Sequence, residues 1–113
     1  MDDVKKLTLE DIVHLTNKMG IAYASAKKVS DKLDLLKASA RARAMEKYDD
    51  GERTETKIRR LAEIDSDYIK YLSQLADAKS ECEILRIRYE SYKNLFEARR
   101  SMLSYKKAEM QYL

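Results

Sequence analysis

The feature that most constrains this chain is an apolar repeat with alternating steps of three and four residues, in a sequence that contains no proline. The repeat runs from Ile12 to Ala40 and then from Leu61 to Leu113. Such steps keep side chains on one face of an α-helix, so each stretch predicts a long amphipathic helix of the coiled-coil type. The chain is therefore expected to be all-α.

A single break separates the two stretches. Tyr48–Thr54 contains Gly51, one of only two glycines, directly after two aspartates. The spacing of Thr8 and Asp11 is that of a capping box and predicts a helix start just after Thr8. Gly20 lies inside the first stretch, where it predicts at most a kink. The predicted elements are a helix over about 9–48, a turn over about 49–55 and a helix over about 56–112, within a single helical domain over 1–113.

Helices of these lengths would span about 60 and 84 Å, which is too long for a globule. Folding back at Gly51 predicts an antiparallel, coiled-coil-like helical hairpin whose second helix extends beyond the first. A two-helix hairpin buries little surface per residue, so we expect a homo-oligomer. The positions of the second apolar repeat expected to support assembly are Leu75, Cys82, Leu85, Tyr89, Tyr92, Phe96, Leu103 and Met110.

The sequence contains no sign of an active site. The single histidine, His14, lies off the apolar face, and the single cysteine, Cys82, lies on it and is interpreted as a small packing residue. Glu63, Asp65 and Asp67 are two residues apart, so a solvated face is favoured over a metal site. We therefore expect no catalysis, no metal and no cofactor. The absence of a long apolar run or a secretion signal favours the cytoplasm and argues against a membrane partner.

Charge is unevenly distributed along the chain although its net value is only +3. Residues 27–47 contain seven basic side chains against three acidic ones, and residues 84–107 contain seven against two. Residues 46–67 carry eight acidic side chains against five basic ones. The two basic tracts are thus separated by an acidic turn region, and they are either solvated flanks of a coiled coil or a face that binds nucleic acid.

Basic side chains that neutralise phosphates bind nucleic acid independently of its sequence, and neighbouring aromatic rings can stack on the bases of a single strand. Arg43 occupies a repeat position where an aliphatic residue is expected, so a phosphate or carboxylate partner is predicted for it. Tyr105 and Tyr112 lie off the repeat and are candidates for stacking. The candidate nucleic-acid-binding residues are Lys37, Arg41, Arg43, Lys47, Arg99, Arg100, Tyr105, Lys106 and Lys107.

Three short stretches resemble a known family. Arg41-Ala42-Arg43 is similar to a Lys-x-Arg doublet, Tyr48-Asp49-Asp50-Gly51 to an aromatic-then-glycine turn, and Arg100-Ser101-Met102 to a late Arg-Gly/Ser-Phe stretch that is followed here by Lys106 and Lys107. These features resemble the UvsY-type phage recombination mediators. The likeness covers roughly residues 25–108.

The resemblance implies a small oligomeric protein that binds single-stranded DNA through Arg41 and Arg43. Such a protein would help a RecA-like recombinase to load onto strands covered by single-stranded-DNA-binding protein, in the cytoplasm of a host cell. The alternative from the residues alone is a small coiled-coil protein of phage type that inhibits or adapts a host protein, docking through Phe96–Leu113.

Overall fold

The computed structural model describes residues 6–111, and within this range the protein is all-α with no strand. Tyr112, at the end of the predicted second helix, and Leu113, the last position of the apolar repeat, lie outside the described residues. None of the helices described is long and apolar enough to cross a membrane. The helices are α1 (Leu9–Leu35), α2 (Lys37–Tyr48), α3 (Glu55–Glu63) and α4 (Ser66–Gln111).

The capping box before α1 is confirmed. The backbone N–H of Thr8 donates to Oδ2 of Asp11 at 2.9 Å, and the N–H of Asp11 donates to Oγ1 of Thr8 at 3.0 Å. These bonds satisfy two donors that a helix start would otherwise leave open. They also hold the pKa of Asp11 below its ordinary value, with the N–H of Thr8 as the largest cause.

The helix continues through Gly20, in agreement with the prediction of at most a kink there, and its first interruption lies at Leu36. In a continuous helix the carbonyl of Leu33 would accept from the N–H of Lys37, but here it accepts from the hydroxyl of Tyr71. A side chain that enters the backbone ladder in this way is a known cause of kinks. The interruption is local, because Leu36 itself still bonds to Lys32 at 3.1 Å.

The turn spans Asp49–Thr54 and is closed by its own side chains. Gly51 adopts φ +81°, a left-handed conformation that favours glycine. Oδ1 of Asp49 accepts from the N–H of Gly51 at 3.1 Å, and Oδ1 of Asp50 accepts from the N–H groups of Glu52 and Arg53. Oγ1 of Thr54 caps α3 by accepting from the backbone N–H of Lys57 at 3.3 Å.

The prediction of one continuous second helix over about 56–112 is wrong at Ile64 and Asp65. Asp65 caps α4, since its Oδ2 accepts from the N–H of Tyr68 at 3.0 Å. Ile64, a position of the apolar repeat, is 70% exposed. The helix is interrupted because the carboxylate of Asp65 accepts a hydrogen bond from the backbone in place of a helical carbonyl. The spacing of apolar residues carries no information about such a bond.

The chain divides into two compact units, one formed by residues up to Ser25 with those from Glu83 on, the other by Ala26–Cys82. In the second unit, α2, α3 and the start of α4 pack around a small core. Its buried members are Ala44, Ala62 and Tyr68, with Ala40, Met45 and Leu72 packed against them.

In the first unit, the start of α1 lies against the later part of α4. The rings of Tyr23 and Tyr89 stack with centroids 6.1 Å apart, and Arg99 donates to the carbonyl of Leu7. Positions rise along α1 as they fall along α4, so these two segments are antiparallel. Gly20 lies beside the ring of Tyr89, and an added Cβ would meet the Cε1 of that ring at 3.0 Å. Glycine therefore permits the close approach.

Candidate nucleic-acid interface

The end of α2 and the start of α4 are joined by a network around Asp65. Oδ1 of Asp65 accepts from the hydroxyl of Tyr48 at 2.8 Å and from Nζ of Lys47 at 3.3 Å. Nζ of Lys47 also bonds to Oδ2 of Asp67 at 2.6 Å, and this bond is the largest cause of the raised pKa of Lys47. Lys47, one of the candidate DNA-binding residues, is thus held by two carboxylates.

Arg41 and Arg43 lie on different sides of α2. The guanidinium of Arg41 reaches α3, where its Nη2 lies 3.3 Å from Oε1 of Glu63. Arg43 points the other way, towards a groove that Tyr68 and Tyr71 of α4 also line. Residues two apart on a helix do not share a face, so the two arginines cannot act as one pair on a single phosphate.

The groove beside Arg43 has a volume of about 370 Å³ and runs between α2 and the start of α4. Its far end is formed by Lys47 with Asp65 and Asp67, where one cation is shared by two carboxylates and one negative charge remains in excess. Among the residues described, the side chain of Arg43 has neither an ion pair nor a hydrogen bond. A cation without a partner beside an open groove is available to an anionic ligand.

Two further cations continue from Arg43 along the α1–α2 side of the second unit. Lys28 and Lys32 lie about one turn apart on α1, and Arg43 follows eleven residues later, about three helical turns, on α2 beyond the interruption at Leu36. All three are exposed, and none has an ion-pair partner in the part of the chain described. Lys37 is also exposed and has no ion pair within residues 6–111.

Lys28 and Lys32 belong to the first basic tract, but sequence reasoning assigned them no site. The signal that could have found them is their spacing relative to Arg43. The nearby basic residue Lys27 instead lies 3.0 Å from Asp31, one turn on. We refer to Lys28, Lys32 and Arg43 as the cationic row.

The candidate residues on α4 fall into two groups. Arg99 bonds to the carbonyl of Leu7, and Arg100 lies 3.5 Å from the carboxylate of Glu97, so both have partners. The other group, Tyr105, Lys106 and Lys107, is exposed, with Tyr105 at 72%. All residues from 100 to 111 are exposed, and we call this stretch the C-terminal segment.

The residues expected to support assembly also divide into two groups. Leu75 is buried within the chain, and the next five are partly buried, among them Tyr89, which packs on Tyr23. Leu103 and Met110 are 55% and 73% exposed. Only these last two present most of their surface to another molecule. The partly buried residues are Cys82, Leu85, Tyr89, Tyr92 and Phe96.

No group of three metal-ligating side chains occurs in residues 6–111. The fold and these surfaces define a class, an all-α protein of long helices with an acidic turn region and with exposed cations both before and after it in the sequence. No protein family matches the chain, and neither a curated protein nor a solved structure proved similar to it.

Proposed function

We propose that this protein binds single-stranded DNA without catalysis and serves as an accessory to a RecA-like recombinase. The observation that carries the DNA-binding part is the cationic row. Its three exposed side chains follow one another at helical spacing along α1 and α2, and no carboxylate within residues 6–111 pairs with them. Basic side chains that neutralise phosphates release the counterions of the strand, and this release gives the protein affinity that does not depend on sequence.

The preference for a single strand comes from the resemblance to UvsY-type mediators. A groove beside Arg43 that the partly buried Tyr71 lines supports it, because single strands are commonly held by cations that lie next to aromatic side chains. Arg43 is the member of the row that also carries the family likeness, and we assign it the central contact.

We further propose that the protein is a homo-oligomer. The exposed apolar side chains of the C-terminal segment, Met102, Leu103 and Met110, support this proposal. Several copies on one strand would combine weak contacts through a raised effective concentration. A strand gathered in this way would be handed to the recombinase, with single-stranded-DNA-binding protein as the species it displaces.

The DNA-binding proposal is tested by fluorescence anisotropy with a labelled dT oligonucleotide. The test variant is Lys28→Gln/Lys32→Gln/Arg43→Gln, which removes the cationic row. The matched control is Lys57→Gln/Arg60→Gln/Lys70→Gln, which removes three exposed cations of the same unit that have no ion pair among the described residues. Both variants lose three charges, so any general effect of net charge is the same in the two.

We expect the row variant to bind at least about tenfold more weakly than the control, with helicity unchanged by circular dichroism. Equal weakening in both variants would show that only net charge matters and would contradict the proposed site. A duplex competitor of the same length tests the single-strand preference. The accessory role is tested separately, as a shorter lag in recombinase filament formation on strands covered by single-stranded-DNA-binding protein.

A further inference from the structure

The second unit has a groove with acidic edges that none of the assignments above uses. It has a volume of about 630 Å³ and lies between α2 and α3. Its apolar surface comes from Ala42, Met45 and Ile58, and its rim carries Glu46 and Asp49. We call it the α2–α3 groove.

The free charge on this rim is negative. Neither Glu46 nor Asp49 has an ion-pair partner among the described residues. Glu55, also at the rim, lies 2.9 Å from Arg59. The single basic residue lining the groove, Arg53, donates to the carbonyl of Tyr48 at 2.9 Å and lies 3.7 Å from Asp50. A ligand at this groove would therefore meet two uncompensated carboxylates beside an apolar surface.

The C-terminal segment has the opposite pattern. Leu103 and Met110 are two helical turns apart on one face, and Lys106 and Lys107 lie between them. The segment carries three basic residues against one acid, Glu109. Neither lysine has a partner among residues 6–111, and both apolar side chains are mostly exposed.

We propose that the C-terminal segment of one copy docks in the α2–α3 groove of a second copy. Lys106 and Lys107 face Glu46 and Asp49, while Leu103 and Met110 cover the apolar surface. Charge complementarity identifies the occupant, because one chain carries both the acidic groove and the basic segment that matches it. The proposal rests on the proposed self-association, and it is tested on assembly itself, with DNA binding through the cationic row measured in separate variants.

Such an interface joins two different surfaces, so it is made either reciprocally by two copies across a two-fold axis or head to tail in a closed ring or an open filament. A segment of twelve residues buries less than the roughly 1,600 Å² of a standard interface, so each contact alone is weak. Ring closure would give every subunit two such contacts and would stabilise the assembly.

The test is sedimentation velocity across a concentration series with two charge-reversed variants. Lys106→Glu/Lys107→Glu makes the segment acidic, and Glu46→Lys/Asp49→Lys makes the groove rim basic. Each variant alone has like charges at every interface, and we expect self-association about tenfold or more weaker. Mixed in equal amounts, the two variants have opposite charges wherever they alternate, so the mixture should assemble as wild type does in a dimer, a filament or a ring with an even number of subunits.

Two controls accompany this test. Lys28→Glu/Lys32→Glu reverses two charges in the cationic row and should leave assembly unchanged while DNA binding falls. Met110→Asp removes an exposed apolar anchor and should weaken assembly with helicity retained. A failure of DNA binding and a failure of this interface are therefore seen in different variants.

Each remaining outcome contradicts the proposal. A wild-type protein that stays monomeric at all concentrations overturns both self-association and this interface. Assembly that neither charge reversal weakens overturns the interface but leaves self-association in place. If each reversal weakens assembly and the mixture does not restore it, Lys106 and Lys107 do not face Glu46 and Asp49.

Discussion

The hydroxyl of Tyr48, the last residue of α2, donates to Oδ1 of Asp65, the cap of α4, at 2.8 Å. The other oxygen of Asp65 accepts from the backbone N–H of Tyr68 at 3.0 Å, and its side chain is only 4% exposed. One buried carboxylate therefore caps a helix and ties that helix to the end of another.

We expect Asp65→Ala to be the most destabilising single change in the turn region. It removes a helix cap and leaves the Tyr48 hydroxyl without its acceptor. Thr54→Ala, which removes one capping bond at α3, is the matched comparison and should lower the free energy of unfolding by about 1 kcal/mol. Urea unfolding followed by circular dichroism should show a larger loss for Asp65→Ala, and an equal or smaller loss would contradict the role of Asp65.

The hydrogen bond between Tyr48 and Asp65 also predicts that the free energy of unfolding depends on pH. The Tyr48 hydroxyl, followed by the Tyr68 N–H, holds the pKa of Asp65 below its ordinary value of 3.8. A carboxyl whose pKa is lower in the folded state stabilises the fold above its unfolded pKa, and this stabilisation is lost as the pH falls through the folded value. The free energy of unfolding should therefore decrease as the pH falls from about 4.

Tyr48→Phe removes the largest cause of this shift, so its unfolding free energy should change less with pH in the acid range. Asp11, Asp50 and Glu83 also have lowered pKa values, but their contacts are the same in both proteins. The difference between the two pH profiles therefore isolates Asp65. Parallel profiles would show that the hydroxyl bond does not stabilise the carboxylate.

Apolar spacing, the glycine turn and the capping box were sufficient to predict an all-α chain with its main break at Gly51. They could not predict the interruptions at Leu36 and Asp65. The first depends on the hydroxyl of Tyr71, which is distant in sequence from the carbonyl it contacts. The second depends on Asp65. In the sequence this aspartate could equally lie on a solvated face of a helix, and only its contact with Tyr48 shows that it lies at a helix boundary.

Prediction of the candidate site from the sequence was limited in the same way, by contacts between residues that are distant in the chain. Arg41, Arg43 and Lys47 lie on α2, within the helix predicted over about 9–48, but composition cannot show which cations already have partners. Glu63 and Asp65 compensate two of the three, and both come from the other side of the turn. Charge counts along the chain miss such pairs because the partners lie 18 to 22 positions away.

Gly20→Ala should destabilise the protein although alanine favours helices. Alanine would gain about 1 kcal/mol in helix propensity. However, its Cβ would lie 3.0 Å from Cε1 of Tyr89. The ring of Tyr89 also stacks on Tyr23, so it cannot easily move away from the added methyl group. In a Tyr89→Ala background the ring is absent, and Gly20→Ala should then be stabilising. Thermal unfolding of the four proteins measures this change of sign, and the same sign in both backgrounds would contradict the close contact.

DNA binding through the cationic row predicts a specific change in salt dependence. For single strands the logarithm of the binding constant falls with the logarithm of salt concentration by about 0.7 per phosphate contact. Removing Lys28, Lys32 and Arg43 together should therefore reduce the slope by about 2. Anisotropy titrations at four salt concentrations measure it. A lower affinity with an unchanged slope would mean that the three side chains do not contact phosphates.

Arg41 and Arg43 should contribute unequally to DNA binding, although the resemblance to UvsY-type mediators implies a role for both. Arg41 already pairs with Glu63 at 3.3 Å, so a phosphate would have to compete with a carboxylate, whereas Arg43 has no such partner among the described residues. Arg43→Gln should therefore weaken binding to a dT oligonucleotide more than Arg41→Gln. Glu63→Gln removes the competing charge, and in that background the effect of Arg41→Gln should grow towards that of Arg43→Gln. If the two arginines contribute equally in the wild type, the pair with Glu63 does not limit Arg41.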